Sequence, residues 1–534
     1  MEPISDSSDA HLGRASTFGG SRVKERLTLG RVVAASWDSL LAFLAPLLLY
    51  LATMAPTIYN LDSAEFTTAA HTGGLVRATG YPLYLLIGRI WSRLPIGDVG
   101  YRMNLLSAVC GALTIALAYR VLRRLGVRGW AAFGALGLLA CSQYFWGLSL
   151  IAEVYTPHTA LMAGILLLLL RFEEVPSPRR LAETTFLVGL SSGHHMATVL
   201  MAPACVWFVL KTGGRESLQA RFLVPAGFTL LAGLSVYAYL PLVYLSEPTF
   251  NYAGHYGADG LFRAVDLTTA AGLWWLISGQ TFSGQMMAYG GSDAIWQASH
   301  MGAELWRAFV AVGIGPGLLG LAVLWRSHRP VGGLLLLIFL FHTGFYVNYA
   351  VGDKDTMFLP TYLIWSVWMG VGYEWLLEWV AKHRPPRYLS SPATAPALLC
   401  LLMVSTVLLS LLLNGPLVDQ SGDRSSRRRA ETILALMEPG GLLIGWWNTV
   451  PAVEYLQLVE GRGDDVTAIN RFLIELPDLR VLVQRRLGSQ AIYLDEPPGD
   501  ALPGVKGVRA GPLYRLIRSP GSAVDIGDQE RSSL

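Results

Sequence analysis

Charge is scarce in this chain. Of 534 residues only 15% are Asp, Glu, Lys or Arg, against about 25% in an ordinary soluble protein. That shortage excludes a solvated surface over most of the chain, and with 52% hydrophobic residues it predicts a membrane protein. The net charge of +3 supplies no basic surface, so no nucleic-acid partner is expected. Cysteine is also rare. Cys110, Cys141, Cys205 and Cys400 each lie in an apolar run without ligand-like spacing, which excludes a disulfide framework and a cysteine metal site. No Walker A pattern occurs and no G-x-G-x-x-G follows a strand, so a nucleotide-driven pump is not expected. No repeat recurs at solenoid or propeller periods, and the halves show no transporter-like duplication. The polar lead through residue 36 has no short apolar core with a cleavage site, so no cleavable signal is expected.

What the chain does have is long apolar segments. A span needs about 20 apolar residues. The candidates are 38–58, 103–122, 129–147, 157–171, 182–192 with 196–210, 222–245, 305–325, 331–350, 357–380 and 393–413, about 11 membrane helices. The 182–210 pair is interrupted at Ser191-Ser192-Gly193-His194-His195. Broken helices at membrane depth are tolerated where they line a cavity. Basic residues gather in alternate loops, among them Arg120, Arg123, Arg124, Arg171, Arg326, Lys382, Arg384 and Arg387, and these are assigned to the cytoplasm. The opposite, periplasmic face then carries 59–102, 148–156, 193–196, 246–304, 351–356 and the chain after Asn414. In the first periplasmic loop, Asp62 to His71 has helix-forming composition and Tyr81 to Leu94 reads as an amphipathic interfacial helix. The tail alternates β-like runs (Gly441–Gly445, Asp465–Asn470, Ala491–Leu494) with helical ones, a small α/β domain.

The expected architecture is a mainly α, polytopic membrane protein of the bacterial inner membrane with its N-terminus in the cytoplasm. It divides into a polar cytoplasmic tail (1–36), a transmembrane domain (37–414) and a periplasmic α/β domain (415–534).

Two acids, Asp62 and Glu65, stand where the first apolar segment surfaces. Their spacing fits a capping box. It also fits a general base, desolvated at the membrane boundary, with a neighbour on the same helix face. Glu153 surfaces on the same side, as an interfacial acid or a second acid of the same site. His194 and His195 either satisfy the helix break or bond a substrate phosphate, and their spacing fits no metal site. In Asp353-Lys354-Asp355 the acids read as a charged turn, and Lys354 as a point charge for a lipid phosphate. Arg77 and Arg102 are similar phosphate candidates, snorkelling being the alternative for Arg102.

Several motifs in order then carry a family resemblance. They are Asn60-Leu61-Asp62-Ser63-Ala64-Glu65-Phe66, Gly80-Tyr81-Pro82-Leu83-Tyr84, Tyr101 to Ala108, Ile151 to Thr156, Asn348 to Asp355 with Phe358-Leu359-Pro360, Tyr455 to Gly461 and Asp465 to Asn470. Together they resemble the bacterial domain-of-unknown-function family 2723, which includes the eukaryotic transmembrane protein 260. The resemblance implies a GT-C-like fold and a glycosyltransferase that takes its sugar from a polyprenyl-phosphate carrier. It places the essential acid of the first extracytoplasmic loop at Asp62 and a second acid at Glu153, and it implies protein O-mannosyl transfer. The chain departs from the family pattern twice. Arg77-Ala78-Thr79 stands where His-Pro-Pro is usual, and Gly445-Trp446-Trp447-Asn448-Thr449 where Gly-Asp-x-Asp-Thr is usual.

The expected activity is therefore inverting transfer of mannose or another hexose from a polyprenyl-phosphate sugar to a secreted protein hydroxyl or a glycan. Asp62 and Glu153 are the expected catalytic acids, with Glu65 in support. Lys354, Arg102, His195 and Arg77 are expected at the donor phosphate, and His158, Tyr81 and His194 at the acceptor or sugar. No cofactor beyond the lipid-linked donor is implied, no metal-ligand set is identified, and a divalent-metal requirement stays open. A lipid-linked sugar flippase and a non-catalytic envelope assembly factor are the alternatives.

Overall fold

The structure, a computed structural model, describes residues 37–60, 62–383 and 394–519. The polar lead 1–36, Leu61 of the first motif, and Arg384 and Arg387 of the basic loops lie outside those residues.

Among the described residues, six helices are long and apolar enough to cross a membrane: Val99–Arg124, Tyr155–Glu174, Met196–Leu218, Ala220–Leu245, Arg329–Val347 and Thr394–Val418. Trp37–Thr53 and Gly129–Ala140 are shorter apolar helices. The chain is a multi-pass membrane protein. Helices also form over the other predicted segments, but they are shorter or more polar. Pro178–His194 carries Arg179, Arg180 and Glu183 in its first two turns. Leu359–Lys382 is rich in Trp and Tyr and is buried without interruption from Leu359 to Glu374, so protein surrounds it. Ile314–Ser327 packs on it through Gly320 and Gly372. A Cβ on Gly320 would stand 1.7 Å from the Trp368 carbonyl oxygen, and one on Gly372 would stand 1.9 Å from that of Pro316. Small residues let membrane helices meet backbone to backbone. At the periphery, the apolar windows of Ala220–Leu245 and Thr394–Val418 are only 11% and 22% buried, which leaves them as surfaces for a bilayer to cover.

The predicted break near His195 is real. The helix runs to His194, His195 is extended, and a 3-10 turn Met196–Met201 restarts the chain. The first loop folds as predicted into the helices Asp62–Thr72 and Pro82–Trp91. Gly80 and Tyr81, both in left-handed backbone, turn the chain into Pro82. The long loop after Leu245 holds a hairpin not predicted from sequence, β1 (Gly254–Tyr256) with β2 (Phe262–Ala264), then the helices Ala270–Ile277 and Gly291–Ala308.

The last membrane helix continues to Val418, past the predicted boundary at 414. Beyond it, β3 (Leu442–Gly445), β4 (Thr467–Asn470) and β5 (Ile492–Leu494) form where β-like runs were read. They join β6 (Val505–Ala510) and β7 (Leu513–Arg518) in the order β4-β3-β5-β7-β6. The helices Val450–Leu458 and Leu476–Arg486 make the crossovers between the parallel strands. The β6–β7 hairpin escaped the sequence reading because Lys506, Arg509, Arg515 and Arg518 interrupt its apolar residues.

This domain docks on the end of the bundle that carries the first loop. Gln420 N–H donates to the Thr53 carbonyl at 2.9 Å. Arg427 bonds Glu460 at 2.6 Å within the domain and reaches Asp98 of the first loop at 3.4 Å.

Candidate active site

Asp62 opens the first-loop helix and Glu65 follows one turn later. Their carboxylates do not form the capping box that their spacing allowed. The bonds described for them leave the helix. Arg77 Nη2 donates to Asp62 Oδ2 at 2.6 Å, Arg77 Nη1 to Glu65 Oε2 at 2.6 Å, and the Arg77 backbone N–H to Glu65 Oε1 at 3.1 Å. The reason is burial. The Glu65 side chain is fully buried, and a buried carboxylate persists with a charged, hydrogen-bonded partner. Burial pushes Glu65 up to about 8, and the neighbouring charge of Asp62 adds to the rise while Arg77 opposes it.

The other side of Asp62 is closed by the C-terminal domain. Trp447 Nε1–H donates to Asp62 Oδ1 at 2.9 Å, and the Arg77 guanidinium lies 4.2 Å from the centre of the Trp447 ring. The two departures from the family pattern thus meet at one carboxylate. Arg77, expected at the donor phosphate, instead commits its guanidinium to two acids and an indole.

Two more acids share this neighbourhood. Glu153, in the turn before the Tyr155–Glu174 helix, is held well above the ordinary carboxyl range by burial and then by the charges of Asp62 and Asp353. Its backbone N–H donates to Ser107 Oγ at 3.1 Å, while its Oε2 is buried without a protein partner. Burial and the Asp62 charge raise Asp353 as well. Beside them stands a ring cluster. The His195 ring lies 4.9 Å from His158, 5.7 Å from Tyr81 and 6.0 Å from Tyr155. His194 is buried, its Nε2 2.8 Å from the Val154 carbonyl oxygen. Both ring nitrogens of His158 are buried without a protein partner. Buried unpartnered polar groups call for an explanation, and a polar ligand is one.

The remaining basic residues are placed differently from expectation. Arg102 donates to the carbonyls of Ser92, Ile96 and Gly97 at 2.6, 2.8 and 2.9 Å, so it fastens the end of the interfacial helix. Lys354 is buried, bonds the Gln297 side chain and lies 4.8 Å from the Tyr289 ring centre. Among the described residues, no group of three or more His, Cys, Asp or Glu is arranged to hold a metal ion.

Sequence reasoning missed Asp353, Trp447, Tyr252 and Glu454. Asp353 carried a signal, since it belongs to the Asn348–Asp355 motif. Trp447 stands in one of the two departures from the family pattern, but nothing in the sequence pointed to a partner 385 residues away. Glu454 accepts a hydrogen bond from Tyr252 Oη. The Tyr252 ring stands 5.3 Å from Trp447.

Glu454 is pushed up to about 8, mainly by burial and further by Glu65, against the Tyr252 bond that lowers it. Below its ordinary value of 4.5 both folded and unfolded chains hold the proton. Between there and about 8 the unfolded chain loses it first, so stability falls as pH rises, and above that range the loss is complete. The melting temperature of the purified protein should therefore decline from pH 5 to pH 8. Glu454→Gln should make the decline shallower, and a slope unchanged by that substitution would remove the assignment.

A bundle of membrane helices, acids in a folded first loop and a small α/β domain closing over them define a GT-C-like membrane protein. The crystal structures of ArnT from Cupriavidus metallidurans share this fold. The apo form aligns with a TM-score of 0.57 at 12% identity, over 90% of this chain and 96% of that one. The form bound to undecaprenyl phosphate aligns with a TM-score of 0.55 at 14% identity, over 92% and 99%.

More particularly, residues 62–217 match the family described as Protein O-mannosyl-transferase TMEM260 N-terminal domain, which bears out the resemblance read from the motifs. The protein O-mannosyl-transferase TMEM260 of Mus musculus is 28% identical over 207 residues, 38% of this chain and 29% of the mouse protein. The Dictyostelium discoideum protein of that description is 20% identical over 475 residues, 80% of this chain and 56% of that one. The chain thus spans little more than half the length of these curated relatives at most.

Proposed function

We propose that this protein is a membrane glycosyltransferase that moves a sugar from a polyprenyl-phosphate donor to an acceptor hydroxyl at the periplasmic face of a bacterial inner membrane. The observation that carries the reading is the setting of Asp62. A carboxylate offers about four lone-pair positions. Arg77 and Trp447 take two and hold its orientation, and its side chain remains 14% accessible beside Glu153 and Asp353. The names of the relatives support sugar transfer to protein, and the ligand of the ArnT structure supports a polyprenyl-phosphate carrier.

In this reading Asp62 accepts the proton of the acceptor hydroxyl as its oxygen attacks the anomeric carbon. The bond from that carbon to the phosphate oxygen breaks, and polyprenyl phosphate leaves with the electron pair. The sugar inverts. The phosphate is already a stabilised anion, so no acid is needed to protonate it. Glu153, kept protonated by burial, donates a hydrogen bond to the donor sugar, with His158 and His195 lining that side. Glu65 supports the reaction by holding Arg77 beneath Asp62.

The test is incubation of the purified full chain with labelled polyprenyl-phosphate mannose or glucose and Ser/Thr peptides. Label joined to the peptide supports the reading. Label moved across vesicles without a new bond identifies a flippase, and neither outcome leaves an assembly factor. Within the reading, Glu153→Gln imitates the protonated acid and should retain most transfer. Glu153→Ala should lose at least about tenfold, the weight of one hydrogen bond at the stronger end of the usual range. Equal loss in both variants would show that the carboxyl acts ionised.

A further inference from the structure

A cleft of about 450 Å3 lies between the loop after Leu245 and the C-terminal domain, within the size range of ligand sites. One wall is a face of the β1–β2 ribbon. Tyr256 and Phe262 are register partners with rings 5.1 Å apart, and Ala264, two residues on, points the same way. The other wall holds Phe250, Tyr252 and Glu454. Two side chains link the cleft to the proposed base: Tyr252, which lines it, packs on Trp447, and Trp447 bonds Asp62.

Two properties select its occupant. Its lining among the described residues holds no Lys, Arg or His; Glu247 is its exposed acid, and Glu454 adds negative charge only as pH rises toward about 8. A phosphate-bearing donor is repelled there, which leaves the acceptor. The second property is a free strand edge. β1 is paired on both sides, with β2 and through the Tyr256–Ile474 bridge, whereas among the described residues β2 pairs with β1 alone. An unpaired edge offers backbone hydrogen bonds to an extended polypeptide, and a glycan has no matching backbone.

We propose that this cleft is the acceptor subsite, and that it takes an extended polypeptide segment along β2 whose residues beside the reacting hydroxyl are neutral or basic. The proposal rests on the glycosyltransferase reading above.

The test uses the full chain and three Ser/Thr peptides, alike except for flanking Lys, Gly or Glu, each carrying a neutral dye. Binding is measured without donor, and KM for the peptide with donor. The Glu-flanked peptide should bind at least about tenfold more weakly than the other two. Ala264→Trp, which fills the cleft from an exposed strand position, should raise KM for all three. Glu247→Lys should bring the Glu-flanked peptide to the level of the others. Melting temperatures near that of the parent establish that both variants fold. Equal binding of the three peptides, or KM values unmoved by both variants, would overturn the subsite and leave the transfer reading intact. Charge-selective binding with no transfer from any donor would overturn the transfer reading and leave a peptide site. Transfer to an oligosaccharide with the same KM effects would overturn the polypeptide occupant.

Discussion

Asp62→Asn abolishes most sugar transfer, by about 10²–10⁴-fold, the contribution typical of a positioned general base. The amide cannot accept the acceptor's proton. It also meets two donors, Arg77 Nη2 and Trp447 Nε1–H, with a single oxygen. One of them therefore faces an NH2 group, and a modest loss of melting temperature accompanies the loss of rate. Trp447→Phe separates the two effects, since it removes the indole donor and leaves the base. Its rate should fall far less than that of Asp62→Asn. Transfer by Asp62→Asn above a tenth of the parent rate, at normal abundance, would end the assignment.

The second large effect falls on stability. Arg77→Ala leaves Asp62 and the fully buried Glu65 facing each other without their cation. Removing one partner of a buried ion pair costs about 3–5 kcal/mol, and the Glu65 share of that cost appears as pH rises through about 8, where its proton is lost. Arg77→Lys should recover only part of the cost, because one ammonium cannot reproduce two guanidinium bonds aimed at two carboxylates. Glu65→Gln in the Arg77→Ala background should restore stability, since the buried charge is gone; coupling of this kind is typically about 0.5–3 kcal/mol. Thermal melts of the parent, Arg77→Ala, Arg77→Lys, Glu65→Gln and the Arg77→Ala/Glu65→Gln double variant decide the matter. Additive losses would mean that the three residues do not act as one unit.

Arg77 and Trp447 show why part of the site was legible and part was not. Asp62 and Glu65 could be found because they are close in sequence at the end of an apolar run, where composition and spacing carry information. The meaning of the spacing was not legible. A capping box and a buried acid pair share one i, i+3 pattern, and the choice depends on which cation arrives from outside the helix. Arg77 arrives from the following loop and wins. Arg102 illustrates the reverse error. A basic residue near a membrane interface reads as a phosphate ligand, yet three carbonyls of the turn after the Pro82–Trp91 helix take three of its five donors. Asp353 was set aside as a turn residue because its exposure to the neighbouring acids depends on packing against elements far away in the chain.

The fold divides in the same way. Long apolar runs state where helices form, because membrane thickness sets their length. The buried strands β3 and β5 were readable as continuous apolar runs. The β1–β2 hairpin was not, because three-residue strands are stabilised by their partners and not by their own residues, and the β6–β7 pair was not, because basic residues interrupt its apolar ones.

By itself, then, the sequence determined that this is a multi-pass membrane protein with a folded first loop and a small α/β domain, and that Asp62 leads its candidate site. The membrane spans, the folded loop and the α/β domain follow from local composition and periodicity, and the lead of Asp62 follows from the motifs that carry the family resemblance. Only the tertiary structure decided what surrounds that acid: Arg77 across the loop, Trp447 from the C-terminal domain, and Glu153 and Asp353 beside it. The reason is physical. Charges buried at low dielectric are governed by whichever groups reach them in space, and those partners come from parts of the chain as distant as 385 residues.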